Sequence, residues 1–272
     1  MKNILNKIYL HPLFLIFTLI FILIGKIRFI TYFMITIFIH EIGHIIVSLI
    51  FKWKIKKIII LPFGGLIKYN IKLNVSNTEE LLVSISGIIF QYFFYLLLKS
   101  KIDYQYYSYI NYFIIIFNLL PIYPLDGSKI LFSILNILTS YYKSIVILCY
   151  ISIVFIFIGL YFSLIFNKLF IIVFIFLLIE TYKLFYSIDN LYNKFLLERY
   201  LYKLKFKNTK IITNIYKLKK DFKHIFIFNN NYYSEDSILK KMFDINKKMW
   251  YYFSRVDLIY NHSEKVLNIY VP

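Results

Sequence analysis

The stretch FITYFMITIFIHEIGHIIVSLIF, residues 29–51, decides the fold, because it is apolar over the roughly 20 residues that a helix needs to cross a bilayer. Three ionisable side chains interrupt it: His40, Glu41 and His44. On a helix the two histidines lie at i and i+4 on one face, where they can bind one metal ion while Glu41 accepts a proton from water. An ionisable residue in a span costs roughly 2.5–3.5 kcal/mol, which favours a functional role. The alternative is a buried His/Glu network that packs helices together without a metal.

The composition of the whole chain is also too apolar for an ordinary water-soluble domain. Of its 272 residues, 60% are hydrophobic, and the mean hydropathy is +0.66. The formal net charge of +18 would suit nucleic acid or an anionic membrane face, and beside so much apolar sequence it favours the membrane. The single cysteine, Cys149, excludes an intramolecular disulfide framework.

Apolar runs of suitable length predict a polytopic α-helical membrane protein with about six transmembrane helices. These runs lie at residues 8–24, 29–51, 79–98, 106–122, 144–166 and 168–187. An even number of spans puts both termini on one side of the membrane, and that side carries more lysine in its connections than the other. The positive-inside rule therefore predicts that both termini are cytosolic. Asn77 and Thr78, followed by two glutamates, predict the beginning of the third span.

The connection between the second and third of these spans contains two short apolar stretches around the pair Gly64 and Gly65. This pattern predicts a β-hairpin at the membrane surface or dipping into it. The alternative is a plain cytosolic loop whose lysines bind lipid headgroups.

A catalytic zinc ion takes three protein ligands and leaves a fourth position for water, so a further ligand is needed besides the histidines. No histidine follows His44 at the spacing typical of metzincins. Asp126 is best placed, because in NLLPIYPLDG, residues 118–127, two prolines interrupt the helix just before this carboxylate. Non-helical backbone at membrane depth is tolerated where it lines a cavity. The alternative is an interfacial turn without a ligand role.

The composition changes after residue 193, and the segment 194–272 holds half of the basic and half of the acidic residues of the chain. We therefore predict a membrane domain at residues 1–193 and a small C-terminal α/β cytosolic domain at 194–272. In the latter, Ile225–Phe228 predicts a strand, Asn229–Asn231 a turn, and Ser234 the cap of a helix. Its positive charge is more typical of a solvated face or a membrane-surface contact than of a nucleic-acid site. The histidines in it, His224 and His262, are expected to be ordinary surface residues.

A His-Glu-x-x-His helix followed by Asn-x-x-Pro-x-x-Pro-x-Asp-Gly in a later span resembles the site-2 proteases, which are intramembrane zinc metalloproteases. Weaker similarities are HPLF at residues 11–14, FGG at 63–65 and Ser86-Gly87. The likeness is strongest to the subgroup of stage IV sporulation protein FB, which has six spans and a cytosolic nucleotide-sensing domain of the cystathionine-β-synthase type. The chain departs from the family pattern at Ile88, where the family often has proline, and the sequence assigns no role to Gln91 nearby.

The resemblance implies zinc ligands at His40, His44 and Asp126, with Glu41 as the general base. It implies an intramembrane protease whose substrate is held extended along the predicted hairpin by strand addition. The residues expected to contact the substrate are Asn118, Phe63, Gly64 and Gly65.

The same resemblance implies cofactors, partners and a location. The implied cofactor is Zn²⁺. The C-terminal domain has room for one cystathionine-β-synthase-type unit, which suggests ATP as a second ligand. Pairing with another copy of the chain would then complete the nucleotide site. The substrate is a membrane-associated protein, the pro-sequence of a sporulation sigma factor, and inhibitory membrane proteins are further partners. No nucleic-acid partner is expected. The location is the bacterial cell membrane, which in a sporulating cell means the outer membrane of the forespore.

Two other classes of function remain open on the sequence. A surface-facing membrane zinc peptidase would use a downstream glutamate in place of Asp126 as its third ligand. A non-enzymatic membrane scaffold or transporter would bind no stoichiometric zinc.

Overall fold

The computed structural model describes residues 8–61, 64–69, 73–98, 104–166, 168, 170–202, 204, 206–228 and 231–244. The contacts of the chain divide it into two compact units. The first comprises Met1–Ile71, Asn77–Ile134 and Ile147–Lys183, and the second comprises Lys72–Ser76, Leu135–Val146 and Leu184–Pro272. The functional division at residue 193 stays a prediction.

Helices make up most of the first unit, in agreement with the apolar pattern of its sequence. They are α1 (Pro12–Leu23), α2 (Ile27–Ile50), α3 (Asn77–Leu98), α4 (Tyr104–Leu119), α5 (Asp126–Leu138), α6 (Tyr141–Phe166) and α7 (Phe170–Tyr186), of which α5 and α6 also contribute residues to the second unit. Helix α3 begins at Asn77, with Glu79 and Glu80 in its first turn, which confirms the predicted start of this helix.

Within the described residues, α2, α3 and α6 are long and apolar enough to cross a membrane. Helix α7 and the following α8 (Ile188–Tyr202), separated by a break, would together count as a fourth span. The chain is a mostly helical membrane protein, but the predicted six spans are not confirmed. The reason is length: α1 has 12 residues and α4 has 16, and at 1.5 Å per residue neither reaches the roughly 30 Å of a hydrocarbon core.

A small sheet in the first unit confirms the predicted hairpin. Strand β1 (Ile8–Leu10) pairs in parallel with β2 (Ile55–Leu61), and β2 pairs antiparallel with β3 (Gly64–Tyr69). Ile60 lies opposite Gly65 in the antiparallel register. Since the strand order is β1–β2–β3, strand β3 lies at an edge of the described sheet.

Helices α2 and α3 approach each other closely because glycines face each other at the crossing. A Cβ atom on Gly43 would lie 2.7 Å from the backbone oxygen of Ser86 and 3.1 Å from the Cα atom of Gly87. Small residues of this kind let helices approach to backbone contact in a membrane, where dispersion forces replace the hydrophobic effect between helices. The approach brings α3 against the face of α2 that carries the two histidines.

The second unit contains α8 and a separate α/β arrangement. Strand β4 (Asn208–Ile212) pairs in parallel with β5 (Phe222–Phe228), which pairs antiparallel with β6 (Asn231–Ser234), and α9 (Glu235–Asp244) follows. The predicted strand and helix are confirmed, and the backbone N–H of Ser237 donates to Ser234 Oγ at 3.2 Å, as a cap requires. The turn expected at Asn229–Asn231 lies mostly outside the described residues.

A buried arginine holds this second unit together. The Arg199 side chain, 2% exposed, pairs with Glu235 at 2.8 Å and donates to the backbone oxygens of Lys220 and Phe222, each at 2.9 Å. Its Nε donates to Asn74 Oδ1 at 2.9 Å. Because a buried guanidinium is costly unless its donors are satisfied, these contacts explain why the arginine is tolerated inside the unit.

The expectation that His224 lies at the surface is wrong, because it is fully buried. Its Nε2 accepts a hydrogen bond from the backbone N–H of Lys219 at 3.1 Å, so the ring proton must be on Nδ1, which donates to Glu235 Oε2 at 3.1 Å. The alternating pattern of β5 turns this position inward. His262 lies outside the described residues.

We expect the second unit to lose stability as the pH falls below about 6.5. Burial, the largest cause, lowers the pKa of His224 below its ordinary value of 6.5. Below pH 6.5 the unfolded chain binds a proton at His224 more readily than the folded unit does. The stability that His224 contributes is therefore fully present above pH 6.5 and declines as the pH falls towards the lower pKa of His224 in the folded unit. Amide hydrogen exchange in β5 of the full-length protein, corrected for intrinsic rates, should show weaker protection at pH 5.5 than at pH 7.5.

Two controls accompany this measurement. Amides in β2 should not show the same change, since the three strands of that sheet contain no histidine. The variant His224→Gln should flatten the pH dependence in β5. An unchanged dependence in that variant would remove His224 as its cause.

Candidate metal centre

The structure brings His40, His44 and Asp126 together at one buried point. The Nε2 atoms of the two histidines lie 3.1 Å apart, and each lies 2.8 Å from Asp126 Oδ2. All three residues are at most 5% exposed. They form a group with the donor types and spacing needed to bind a metal ion.

The outer nitrogen of each histidine has a partner that defines where its proton is. His40 Nδ1 lies 2.8 Å from Gln91 Oε1, and His44 Nδ1 lies 2.7 Å from the backbone oxygen of Val83. Since both oxygens only accept hydrogen bonds, Nδ1 carries the proton of each ring in its neutral form, which leaves a lone pair on Nε2.

These tautomers show that the cluster fits a metal ion. Two imidazole lone pairs and one carboxylate oxygen converge, and no hydrogen is available between them when both protons are on Nδ1. Three converging acceptors repel one another unless a cation lies among them. Two histidines and one carboxylate, with a fourth position left for water, form a ligand set typical of catalytic zinc.

Asp126 reaches the histidines because the chain between α4 and α5 is not helical. Hydroxyl groups from α6 and α7 satisfy the backbone there: the N–H of Tyr123 donates to Ser152 Oγ at 3.1 Å, and Thr181 Oγ1 donates to the oxygen of Tyr123 at 3.3 Å. Ser152 also donates to the oxygen of Pro121 at 3.2 Å. Such partners are what irregular backbone needs away from water. Neither hydroxyl residue was predicted from the sequence, although both lie within predicted spans, where a hydroxyl group needs a hydrogen-bond partner.

Apolar side chains surround this non-helical segment. The packed cluster consists of Leu61, Phe117, Ile122, Leu125, Ile156, Phe174 and Leu177. Glycine is required directly after the aspartate, because a Cβ atom on Gly127 would lie 2.1 Å from the backbone oxygen of Leu119. The Asp-Gly pair therefore lets α5 begin directly against the end of α4.

The second oxygen of Asp126 is held by a lysine. Lys129 Nζ lies 2.8 Å from Asp126 Oδ1, one turn further along α5. This contact occupies Oδ1 and leaves Oδ2 facing the histidines. This role of Lys129 was not predicted from the sequence, although its i,i+3 spacing from the aspartate was a usable signal.

Glu41 lies beside the metal cluster and is held by strand β3. Its Oε1 accepts a hydrogen bond from the backbone N–H of Gly65 at 2.9 Å. Its Oε2 is buried and has no hydrogen-bond partner among the described residues. A Cβ atom on Gly65 would lie 2.2 Å from the carboxyl carbon of Glu41, so this position of the strand must be glycine.

The predicted substrate-contact residues that the structure describes lie near this site. Asn118, Gly64, Gly65 and Asp126 line one small cavity. Asn118 Nδ2 donates to the backbone oxygen of Ile114 at 3.0 Å, and a Cβ atom on Gly64 would lie 3.3 Å from Asn118 Oδ1. Phe63 lies outside the described residues.

A larger cavity of about 170 Å³ borders the cluster at His44. Glu41, His44 and Lys129 supply its polar wall, whereas Trp53, Tyr69 and Phe132 supply much of its apolar wall. A cavity that joins a carboxylate, a metal-binding histidine and aromatic side chains has the composition of a small-ligand or side-chain site.

Comparisons with known proteins agree with this geometry. The model of peptidase family M50 matches residues 28–102 and 100–159, a region that includes the two histidines, Glu41 and Asp126. Stage IV sporulation protein FB of Bacillus subtilis (strain 168) is 33% identical over 138 residues, which cover 48% of this chain and 48% of that relative. The chain is thus matched to about half of the length of this relative.

A solved structure is similar as well. The site-2 protease from Methanocaldococcus jannaschii superimposes with a TM-score of 0.54 and 26% sequence identity, covering 65% of this chain and 89% of that one. The predicted resemblance is confirmed. The M50 match contains every residue of the candidate metal cluster, so over residues 28–102 and 100–159 the chain is similar to peptidase family M50, the family of the site-2 proteases.

Proposed function

We propose that the chain is an intramembrane zinc metalloprotease that cuts a membrane-associated protein within or next to the bilayer. One observation carries the proposal: the lone pairs of His40 and His44 and a carboxylate oxygen of Asp126 converge beside Glu41 in apolar surroundings. The match to the model of peptidase family M50 supports the same reaction.

In this mechanism His40, His44 and Asp126 would hold the zinc ion, and the bound ion would supply Lewis-acid chemistry: polarisation of a carbonyl and a pKa of water lowered towards about 7. Glu41 is the general base. Its Oε1 is fixed by the Gly65 N–H, which leaves the unpartnered Oε2 to take a proton from the attacking water. The same carboxyl group then delivers the proton to the leaving amine.

The substrate would bind as an extended segment. Helical carbonyls are hydrogen-bonded and shielded, so a helical substrate must unwind before water can attack. Strand β3 supports this step, because it lies at the edge of the described sheet and its Gly65 contacts the general base. Gly64 and Asn118, which line the adjacent small cavity, would contact the substrate there.

The finer proposals rest on the similarity to stage IV sporulation protein FB. The substrate would be the pro-sequence of a sporulation sigma factor, and membrane proteins would inhibit the protease until it is needed. The enzyme would lie in the bacterial cell membrane, in the outer membrane of a forespore, with both termini cytosolic. Regulation by ATP through a cystathionine-β-synthase-type C-terminal domain stays a prediction, as does its pairing with a second copy.

Asp126→Asn tests the proposal. We expect weaker zinc binding and weaker cleavage, because a neutral amide is a poorer ligand than a carboxylate. Changes to residues that only support a ligand already cost about 10–100-fold in metal affinity, so loss of a ligand should cost at least that much. The measurement is zinc content after dialysis against a chelator, together with cleavage of a single-span peptide, both in detergent.

The outcomes separate the alternatives. The control Asp236→Asn makes the same change at an exposed carboxylate of α9 and should leave zinc and cleavage unchanged. Full zinc occupancy and normal turnover in Asp126→Asn would favour a surface-facing peptidase with a different third ligand. A parent protein without stoichiometric zinc would favour a scaffold or transporter.

A further inference from the structure

We propose that Gln91 is a positioning residue of the metal centre, which fixes the tautomer and the ring orientation of His40. The inference rests on the proposed function, since it concerns how this chain prepares a histidine to bind zinc. Gln91 lies on α3 and is 1% exposed, and its Oε1 lies 2.8 Å from His40 Nδ1.

The orientation of the Gln91 amide follows from its other end. Its Nε2 lies 3.0 Å from the backbone oxygen of Asn111 and 3.1 Å from Asn111 Oδ1. A backbone oxygen only accepts hydrogen bonds, so the NH₂ end of the amide must face Asn111. The oxygen end is therefore the one that faces His40.

The amide oxygen determines which nitrogen of His40 is available to a metal. An acceptor beside Nδ1 places the proton there, and Nε2 is left with its lone pair directed at Asp126 Oδ2. Without an acceptor in this buried place, a neutral His40 could carry its proton on Nε2 and donate it to the carboxylate. In that tautomer the nitrogen that faces the cluster could not bind a cation.

The two histidines are oriented by different means. The partner of His44 Nδ1 is a backbone oxygen, that of Val83, which belongs to α3 and does not depend on any side chain. The partner of His40 Nδ1 is a side chain held by a residue of α4. The hydrogen bonds from Asn111 to Gln91 and from Gln91 to His40 therefore connect α4 and α3 to the metal-binding face of α2.

A purely structural role for Gln91 makes a different prediction. Polar side chains hydrogen-bond across helices in membranes and hold the helices together. Loss of that effect would lower the thermal stability and leave the zinc affinity of the folded protein unchanged. A positioning role requires the zinc affinity itself to fall.

The test uses the full-length protein in detergent and measures zinc affinity by competition with a chelator. Gln91→Met has a similar length but no acceptor, and we expect it to bind zinc about 10–100-fold more weakly, as for other residues that orient metal ligands. Gln91→Glu keeps an acceptor at Nδ1, and in its protonated form it keeps a donor towards Asn111, so it should bind zinc near the parent value. Cleavage should follow the same order, with the loss in kcat rather than in KM.

A matched control removes a different hydrogen bond between the same two helices. The hydroxyl of Tyr95 on α3 lies 2.8 Å from Ser108 Oγ on α4, and Tyr95→Phe should leave the zinc affinity unchanged. If Gln91→Met does not fold, Gln91→Asn withdraws the acceptor by one methylene and serves instead.

Three results would overturn the inference. Gln91→Met that binds zinc as tightly as the parent would remove the positioning role while leaving the proposed protease intact. Tyr95→Phe with an equal loss of affinity would assign the effect to helix packing. A parent protein that binds no zinc would defeat the proposed function together with this inference.

Discussion

Glu41→Gln is expected to abolish peptide-bond cleavage while zinc stays bound. The amide can still accept the hydrogen bond that Glu41 Oε1 takes from the Gly65 N–H, so the side chain should keep its place. It cannot accept a proton, and loss of a general base typically costs about 10²–10⁴-fold in rate. Cleavage of a single-span peptide and zinc content should be measured on the same purified sample.

The matched control for this change is Glu180→Gln. Glu180 pairs with Lys183 on α7 and is not among the residues that line the large cavity. Glu180→Gln should leave both the rate of cleavage and the zinc content unchanged. Substantial residual proteolysis by Glu41→Gln would remove this residue from its role, and loss of zinc would mean that it acts as a ligand.

Gly87→Ala is expected to remove zinc binding and cleavage together. A Cβ atom on Gly87 would lie 2.3 Å from His44 Nε2 and 2.7 Å from His40 Nε2, the two nitrogens that face Asp126. The methyl group can be accommodated only if these rings move. Since a misplacement of about 1 Å can cost about 10²-fold in rate, we expect at least that loss of cleavage. The measurement is zinc content beside turnover of the same peptide.

Gly159→Ala controls for crowding inside a membrane helix. A Cβ atom there would lie 2.2 Å from the ring of Phe174, a contact as tight as that at Gly87 but with a residue outside the metal cluster. If a thermal-stability measurement shows that Gly159→Ala is folded, this variant should retain zinc. Equal loss of zinc in both variants, or full zinc in Gly87→Ala, would contradict the proposed closeness of α3 to the ligands.

Features encoded by neighbouring residues could be read from the sequence. The i,i+4 histidines, the hairpin around Gly64 and Gly65, the start of α3 and the strand and helix of the second unit each depend on a short local pattern, and the structure contains all of them. The predicted six spans are not confirmed, because hydropathy alone does not determine where a helix begins and ends. Helix α1 begins only at Pro12, inside the predicted run 8–24, and α4 ends at Leu119, before Pro121 and short of the end of the predicted run 106–122.

The contacts that prepare the metal centre could not be read in this way. Gln91 is 51 residues from His40 in the chain. Ser152 and Thr181 act on backbone atoms 31 and 58 residues away. No local pattern records such pairings, because they exist only after helices have packed.

By itself, the sequence determined the chemistry that is available: a histidine pair beside a glutamate in an apolar helix, and a carboxylate after a proline break. Only the tertiary structure decided which nitrogen of each histidine is free, which oxygen of Asp126 faces them and which glycines must lack a side chain. The physical reason is that residue type fixes what a group can donate or accept, whereas tautomer, orientation and clearance depend on atoms from other helices within about 3 Å.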